Sequence, residues 1–306
     1  MEYTTLGDGG PRVSRIAFGC WAISGHGWGK VGDAESTAAV RKALDLGVDF
    51  FDTADVYGFG HSEELLAAAL GQDRTTVCVA TKGGVTWDAQ GRIERDLSAT
   101  ILTRAVEASL RRLRLDCIPL YQIHWPDGRT PVSEAIETLL RFQEAGKIRW
   151  IGCCNLSPEQ LAEARAAGPI VSHQASYNLL NRSVEKAVLP ACRELGVSLL
   201  SHSSLAQGLL SGKYLPDATF PNDDVRSRSV YFERERADEH AGVIARLKEV
   251  ALRHDKTPAQ VAIRWILDEP GLAGALTGVK FPSQIAENAG AIDVQLSEEE
   301  RRWIAP

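Results

Sequence analysis

Short apolar runs alternate with longer stretches of helical periodicity from about residue 15 to 290, and this alternation is the dominant pattern of the chain. Eight runs read as strands buried on both faces, at 16–19, 49–53, 77–82, 117–124, 149–154, 171–174, 198–202 and 274–278. Between them, apolar residues three and four apart predict helices over 34–46, 62–70, 98–113, 132–145, 158–167, 184–195 and 237–253. Their ends are punctuated. Asp33 and Gly47 flank the first helix, Ser157 and Pro158 open the fifth, and Gly146 and Gly196 close two others. Eight right-handed βα units overrun the strand count of a doubly wound sheet, so the pattern predicts one α/β domain over 1–306, a (β/α)8 barrel, with an open sheet as the lesser alternative.

Two segments break the repeat. Residues 213–235, with Pro216, Pro221 and the polar series 222–229, are too long and irregular for a simple connector and read as a lid over the barrel mouth. Thr257 and Pro258 then open a further helix through Leu267 ahead of the last strand. Ser297 and Glu300 stand at capping-box spacing, which predicts a short outer helix near the end of the chain, stopping at Pro306.

Composition narrows the class. Hydrophobic content of 44% and charged content of 24% fit a soluble globular protein, and no apolar run approaches the roughly 20 residues of a spanning helix. The formal net charge of -6 argues against nonspecific nucleic-acid binding. The opening residues carry neither a basic patch nor an apolar stretch, so a cytosolic location is expected, and a monomer is the simplest assembly. Cys20, Cys78, Cys117, Cys153, Cys154 and Cys192 form no Cys-x-x-Cys pair, which points to reduced thiols and no zinc site.

Four residues at or just past the ends of the second, third and fourth runs carry the candidate chemistry: Asp52, Tyr57, Lys82 and His124. Barrels present their chemistry at the C-terminal ends of their strands, so these four can converge on one mouth. Taken singly, they read as a cap, a loop aromatic, a solvated strand end and a core histidine. Together they supply what carbonyl reduction needs. Tyr57 is the general acid; a Lys82 ammonium stabilises its phenolate and makes the phenol more acidic; Asp52 keeps Lys82 charged; His124 donates a hydrogen bond to the developing oxyanion.

The same stretches resemble the aldo-keto reductases, across almost the whole chain. The motifs are Phe51-Asp-Thr-Ala-Asp-Val-Tyr-Gly58 followed by His61-Ser-Glu-Glu64, Ala80-Thr-Lys82, Ile123-His-Trp-Pro-Asp127, Ile151-Gly-Cys-Cys-Asn155 and Ser204-Leu-Ala-Gln-Gly-Leu-Leu-Ser-Gly-Lys-Tyr214. They are most similar to the bacterial branch with general-stress and sugar-reductase members. The resemblance implies a (β/α)8 barrel in which Asp52, Tyr57, Lys82 and His124 form a catalytic tetrad.

A reductase needs a hydride source, yet no Gly-x-Gly-x-x-Gly follows the first strand; Gly58-Phe-Gly60 runs into His61-Ser62-Glu63 instead. Barrels commonly hold phosphate at the loops after strands seven and eight. Here those loops are Ser203-Ser-Leu-Ala-Gln-Gly208, with Lys213 close behind, and Gly278-Val-Lys-Phe-Pro-Ser-Gln284, which opens a helix. Lys280 is placed to pair with the 2′-phosphate of NADP(H). The resemblance implies the same pocket, with Asn155 and Gln174 at the nicotinamide carboxamide and Gln284 and Asn288 near the adenine. It extends that pocket to Gly19, Cys20, Trp21 and Asp52, to Cys154 and His202, and to Leu205, Gln207 and Gly208. Two positions depart from the family pattern: His202 replaces the usual stacking aromatic, and Cys154 the usual serine.

Candidate substrate walls are Trp21, Tyr57, Trp87, His124 and Trp125, which suit flat apolar carbonyls or the apolar face of a sugar. Arg226 and Arg228 in the lid read as solvated cations, with contact to an anionic substrate as the alternative. Two rivals remain: a nicotinamide-nucleotide-binding regulatory protein with little turnover, and a barrel hydrolase using Asp52 and His124 with a metal, for which the chain offers no dense ligand cluster.

Overall fold

Eight parallel strands close a barrel in chain order: Ile16–Gly19, Phe50–Asp52, Cys78–Gly83, Ile118–Ile123, Ile148–Cys154, Ile170–Ser176, Ser198–His202 and Leu272–Gly278, the last pairing back onto the first. This computed structural model describes every residue except Lys30, Pro216 and Pro306. The part of the expected lid at Pro216 and the expected stop at Pro306 therefore lie outside the described residues. Along the strands, side chains alternate between two apolar environments. Ala17, Phe50, Ala80, Leu120 and Leu200 fill the lumen, while Phe18, Phe51, Val79, Tyr121 and Ile123 face the helices. Burial on both faces is why the runs read as continuously apolar rather than alternating.

The surrounding helices include Asp33–Asp45, His61–Leu70, Ala99–Leu113, Val132–Glu144 and Pro158–Ala167. Ser157 and Gln160 form a reciprocal capping box with proline in the first turn, as the residue types predict. The first helix starts one residue earlier than expected: Gly32 is its cap and Asp33 already helical. The predicted helix over 184–195 divides into a short turn, Ser183–Lys186, and a helix, Val188–Glu194. Pro190 explains the break, because its ring would collide with the Lys186 carbonyl if one helix ran through both. Ala237–Arg253 and Pro258–Leu267 precede the last strand, Pro282–Ala289 follows it, and Glu298–Ile304 forms the outer tail helix behind the Ser297 cap. Among the described residues no helix is long and apolar enough to cross a membrane.

Two hairpins were missed by the periodicity. Tyr3–Thr5 pairs with Arg12–Ser14 and carries Leu6 and Val13 into the lower end of the lumen, closing it. Val85–Trp87 pairs with Ile93–Arg95 at the mouth. The lid folds as short turns, Val225–Arg228, Val230–Phe232 and Arg234–Arg236, and reaches across the opening, where Val225 N donates to Gly27 O at 2.8 Å.

Candidate active site

Asp52 ends the second strand, in register with Gly19 on one side and Ala80 on the other. Lys82 lies two residues past Ala80, on the same face of the third strand, which carries its ammonium over the Asp52 carboxylate. That ammonium is fully buried and reaches Asp52 Oδ2 at 2.7 Å, Thr53 O at 2.8 Å and the Tyr57 hydroxyl at 3.3 Å. An ammonium has three protons, so these acceptors use them all. Asp52 Oδ1 in turn accepts from Gln174 Nε2 at 2.9 Å and Gln122 Nε2 at 3.3 Å. Gly152 leaves room for this layer, since a Cβ there would stand 2.6 Å from Ser172 Oγ and 3.0 Å from Gln122 Cγ. Burial alone would lower the pKa of Lys82, but the Asp52 carboxylate, seconded by Tyr57, outweighs it and holds the ammonium well above its ordinary value.

Tyr57 arrives on the loop after the second strand. Its turn, Tyr57–Gly60, carries left-handed backbone at Gly58, Phe59 and Gly60. A Cβ at Gly58 would meet Ser24 O at 2.2 Å, so only glycine lets this turn close on the first loop. The ring stacks on Trp21 at 5.8 Å and meets His124 edge-on at 5.9 Å. Burial raises the phenol pKa, Lys82 offsets part of the rise and Asp52 adds to it, leaving about 12. This corrects the expectation of a phenol more acidic than a free one: desolvation wins over the ammonium. Tyr57 therefore keeps its proton at neutral pH. Because Lys82 donates to the phenol oxygen, the phenol O–H remains free for an acceptor in the cavity.

His124 follows the fourth strand, its N donating to Gly83 O at 3.0 Å. Burial, then the charges of Lys82, His202 and Arg95, hold its pKa well below the ordinary value, so the ring is neutral. Among the described residues its Nδ1 is buried without a partner, which leaves Nε2 as the ring nitrogen turned to the cavity. His202, driven down to about 4 by burial and by Lys82, is neutral too. Its Nε2 meets Asn155 Oδ1 at 3.0 Å and its Nδ1 meets Ser203 Oγ at 3.2 Å. Asn155 Nδ2 donates to His124 O, so Oδ1 is an acceptor and His202 carries its proton on Nε2. The substitution of histidine for the usual aromatic thus engages Asn155, and both ends of that amide are held within the protein.

Above these groups opens a cavity of about 790 Å³. Asp52, Tyr57 and His124 line it, with Lys82 directly beneath. Gly19, Trp21 and Trp125 form part of the wall, as do Asn155, Gln174 and His202. Ser203, Leu205, Gln207 and Gly208 line it from the loop after the seventh strand, with Lys213 beyond; Gly278, Lys280, Gln284 and Asn288 line it from the eighth. Three expected wall residues lie behind it instead. Cys20 turns its thiol to Phe18 O, Cys154 sits buried with its sulfur 3.7 Å from Gln122 Oε1, and Trp87 packs on Phe59, which reaches the wall in its place. In the lid, Arg228 is exposed and off the cavity, whereas Arg226 is no solvated cation. It pairs with Asp224 at 2.6 Å, donates to the Tyr214 hydroxyl at 2.9 Å and lies over the rings of Phe220, Tyr214 and Trp28.

The donor set fits a nicotinamide dinucleotide. Ser203, Ala206 and Gln207 hold left-handed backbone on the seventh loop, strain that non-glycine residues sustain at binding sites. Gln207 Oε1 is buried without a partner among the described residues. Lys280 donates to Trp28 O, and its pKa is held below the ordinary value by burial and then by neighbouring Arg226. Gln284 Oε1 accepts from the amides of Lys280 and Phe281 at 2.7 and 3.2 Å, so it shapes this loop. Sequence reasoning missed Trp28, Tyr214 and Arg95 on the wall. Arg95 was within reach, because Asp88 and Gly91 mark a turn between two short β-rich stretches. Among the described residues no three His, Cys, Asp or Glu side chains cluster to hold a metal.

The model of the Aldo/keto reductase family matches residues 15–305. Aldo-keto reductase YhdN of Bacillus subtilis (strain 168) is 38% identical over 307 residues, covering 99% of this chain and 92% of that one. The NADH-specific methylglyoxal reductase of Escherichia coli (strain K12) is 32% identical over 315 residues, covering 97% and 95%. The structure of the glycerol dehydrogenase AKR11B4 from Gluconobacter oxydans superposes with a TM-score of 0.91 at 35% identity, covering 99% of this chain and 93% of that one. The chain belongs to the aldo/keto reductase family, oxidoreductases that convert carbonyls to alcohols with a nicotinamide cofactor.

Proposed function

We propose that this chain, as one barrel domain, reduces an aldehyde or ketone to the alcohol with NADPH as hydride source and Tyr57 as general acid. The observation that carries this reading is the buried Lys82 ammonium, spent on Asp52 Oδ2, Thr53 O and the Tyr57 hydroxyl at the cavity floor. When bound, the nicotinamide supplies hydride to the carbonyl carbon. Tyr57 gives its proton to the carbonyl oxygen as negative charge builds there. A phenol held near pH 12 keeps that proton through the resting state and yields it only to the far stronger base that an alkoxide is. Lys82, fixed in its charged form by Asp52, stabilises the phenolate that remains, and no proton need leave the amine. Neutral His124 donates its Nε2–H to the same oxygen.

The preference for NADPH rests on charge. Lys280 and Arg226 stand close enough for their charges to interact, and Asp224 is the carboxylate they share. A 2′-phosphate would relieve the remaining repulsion. The relative from Escherichia coli, NADH-specific by name, shows that family membership alone does not decide this point.

The test follows oxidation of NADPH and NADH in parallel with 4-nitrobenzaldehyde. NADPH is expected to give the higher kcat/KM, and Tyr57→Phe to lower kcat by about a hundredfold or more while NADPH still binds. An NADH preference overturns the cofactor assignment. NADPH binding without turnover across a broad carbonyl panel favours the regulatory alternative.

A further inference from the structure

Among the described residues four cationic side chains line the cavity, and one differs from the rest. Lys213 faces Glu287 at 3.7 Å, Arg226 holds Asp224, and Lys280 borders the same carboxylate. Arg95 stands apart, on the Val85–Trp87 and Ile93–Arg95 hairpin at the mouth. Among the described residues no carboxylate lies within ion-pair distance of it; its neighbour Glu94 is paired with Arg129 at 3.2 Å. The Arg95 guanidinium lies 4.4 Å from the ring centroid of Trp125, the residue after His124. Among the described residues this guanidinium makes no hydrogen bond or ion pair to the protein, so its five donors are open to a ligand. Its charge also reaches the reacting centre, being one of those that depress His124.

We infer that Arg95 is an anion receptor for the substrate, and that the carbonyl compounds this chain prefers carry a carboxylate on the end away from the reacting carbonyl. The planar fork matches a carboxylate in two parallel hydrogen bonds. One unpaired cation balances its single charge, whereas a phosphate would bring nearly two. The aromatic walls at Trp21 and Trp125 suit a flat body between the two polar ends. This inference rests on the reductase reading above.

The experiment compares 4-carboxybenzaldehyde with 4-nitrobenzaldehyde, a planar neutral isostere, in the wild-type chain, Arg95→Gln and Arg95→Lys. Because Arg95 is exposed, solvent screens its charge, and Arg95→Gln is expected to lower kcat/KM for the carboxylate only about fivefold more than for the nitro compound, through KM. Arg95→Lys restores part of that difference, and raised salt in the wild-type chain erodes it. Equal losses on both aldehydes overturn the inference while leaving the reductase reading intact. Glyceraldehyde 3-phosphate is run beside them as a phosphate probe, and an Arg95→Gln loss that falls on it and not on 4-carboxybenzaldehyde overturns the carboxylate assignment. Failure to turn over either aldehyde overturns the reductase reading itself, and with it this inference.

Discussion

Two ion pairs of nearly equal length stand at opposite ends of one cavity, and they owe their geometry to different things. Lys82 and Asp52, 2.7 Å apart, come from adjacent strands 30 residues apart in the chain; Arg226 and Asp224, 2.6 Å apart, are two residues apart in the lid. Barrel register aligns the first pair, and a local turn suffices for the second. The strand pair is buried and spends its charge inward on a phenol. The lid pair spends its charge on three aromatic rings and on a neighbouring lysine. A cation needs the whole fold when it must act at one atom, and only a loop when it must hold a surface together.

Breaking the strand pair has the largest expected effect. Asp52→Ala leaves a buried ammonium without its counterion and is expected to cost about 3–5 kcal/mol in urea unfolding. Lys82→Met costs less, because Gln122 and Gln174 still donate to Asp52. If Lys82→Met proves the more damaging, the strand pair is not organised around the carboxylate as described.

Acid inverts the comparison. His173 on the sixth strand is fully buried, neither ring nitrogen has a partner among the described residues, and burial lowers its pKa from 6.5 to about 4. The unfolded chain therefore takes up this proton before the folded one, so stability is complete above pH 6.5 and falls as pH drops toward 4. His124 and His202 move the same way. His173→Phe is expected to recover about 3 kcal/mol of the stability lost across that window. An unchanged slope would mean that His173 contributes nothing to it. The lid pair holds through the same window, since hydrogen bonds from Arg226 keep the Asp224 carboxyl below its ordinary 3.8.

The smallest effect belongs to the lid itself. Arg226→Ala removes a partly solvated ion pair and its ring contacts, for about 1–2 kcal/mol. It is expected to speed hydrogen exchange at the Val225 amide, which bonds Gly27 across the mouth. Exchange unchanged from the wild-type chain would show that the lid is closed by other contacts.

Much of this was legible beforehand, and the misses have physical causes. The strands were readable because burial on both faces leaves unbroken apolar runs, and the convergence of Asp52, Tyr57, Lys82 and His124 followed from their places at strand ends. The hairpins escaped because three-residue strands carry no period, although Gly7, Gly9 and Gly10 mark one turn and Asp88 and Gly91 the other. Pro190 was visible, but a helical period persists across a break that does not shift it. The direction of the Tyr57 shift could not be foreseen, because it depends on how burial weighs against one ammonium.

The sequence by itself determined the order of elements, the two faces of each strand and the kinds of groups delivered to the mouth, because these follow from local period and residue chemistry. Only the tertiary structure decided how those groups are spent: three acceptors exhausting Lys82, a histidine engaging Asn155, Cys20, Cys154 and Trp87 set behind the wall, and Arg95 left without an acid among the described residues. Such assignments depend on distances between residues far apart in the chain, as with Gln174 and Asp52 across 122 positions. Closure of the barrel sets those distances, and no local pattern contains them.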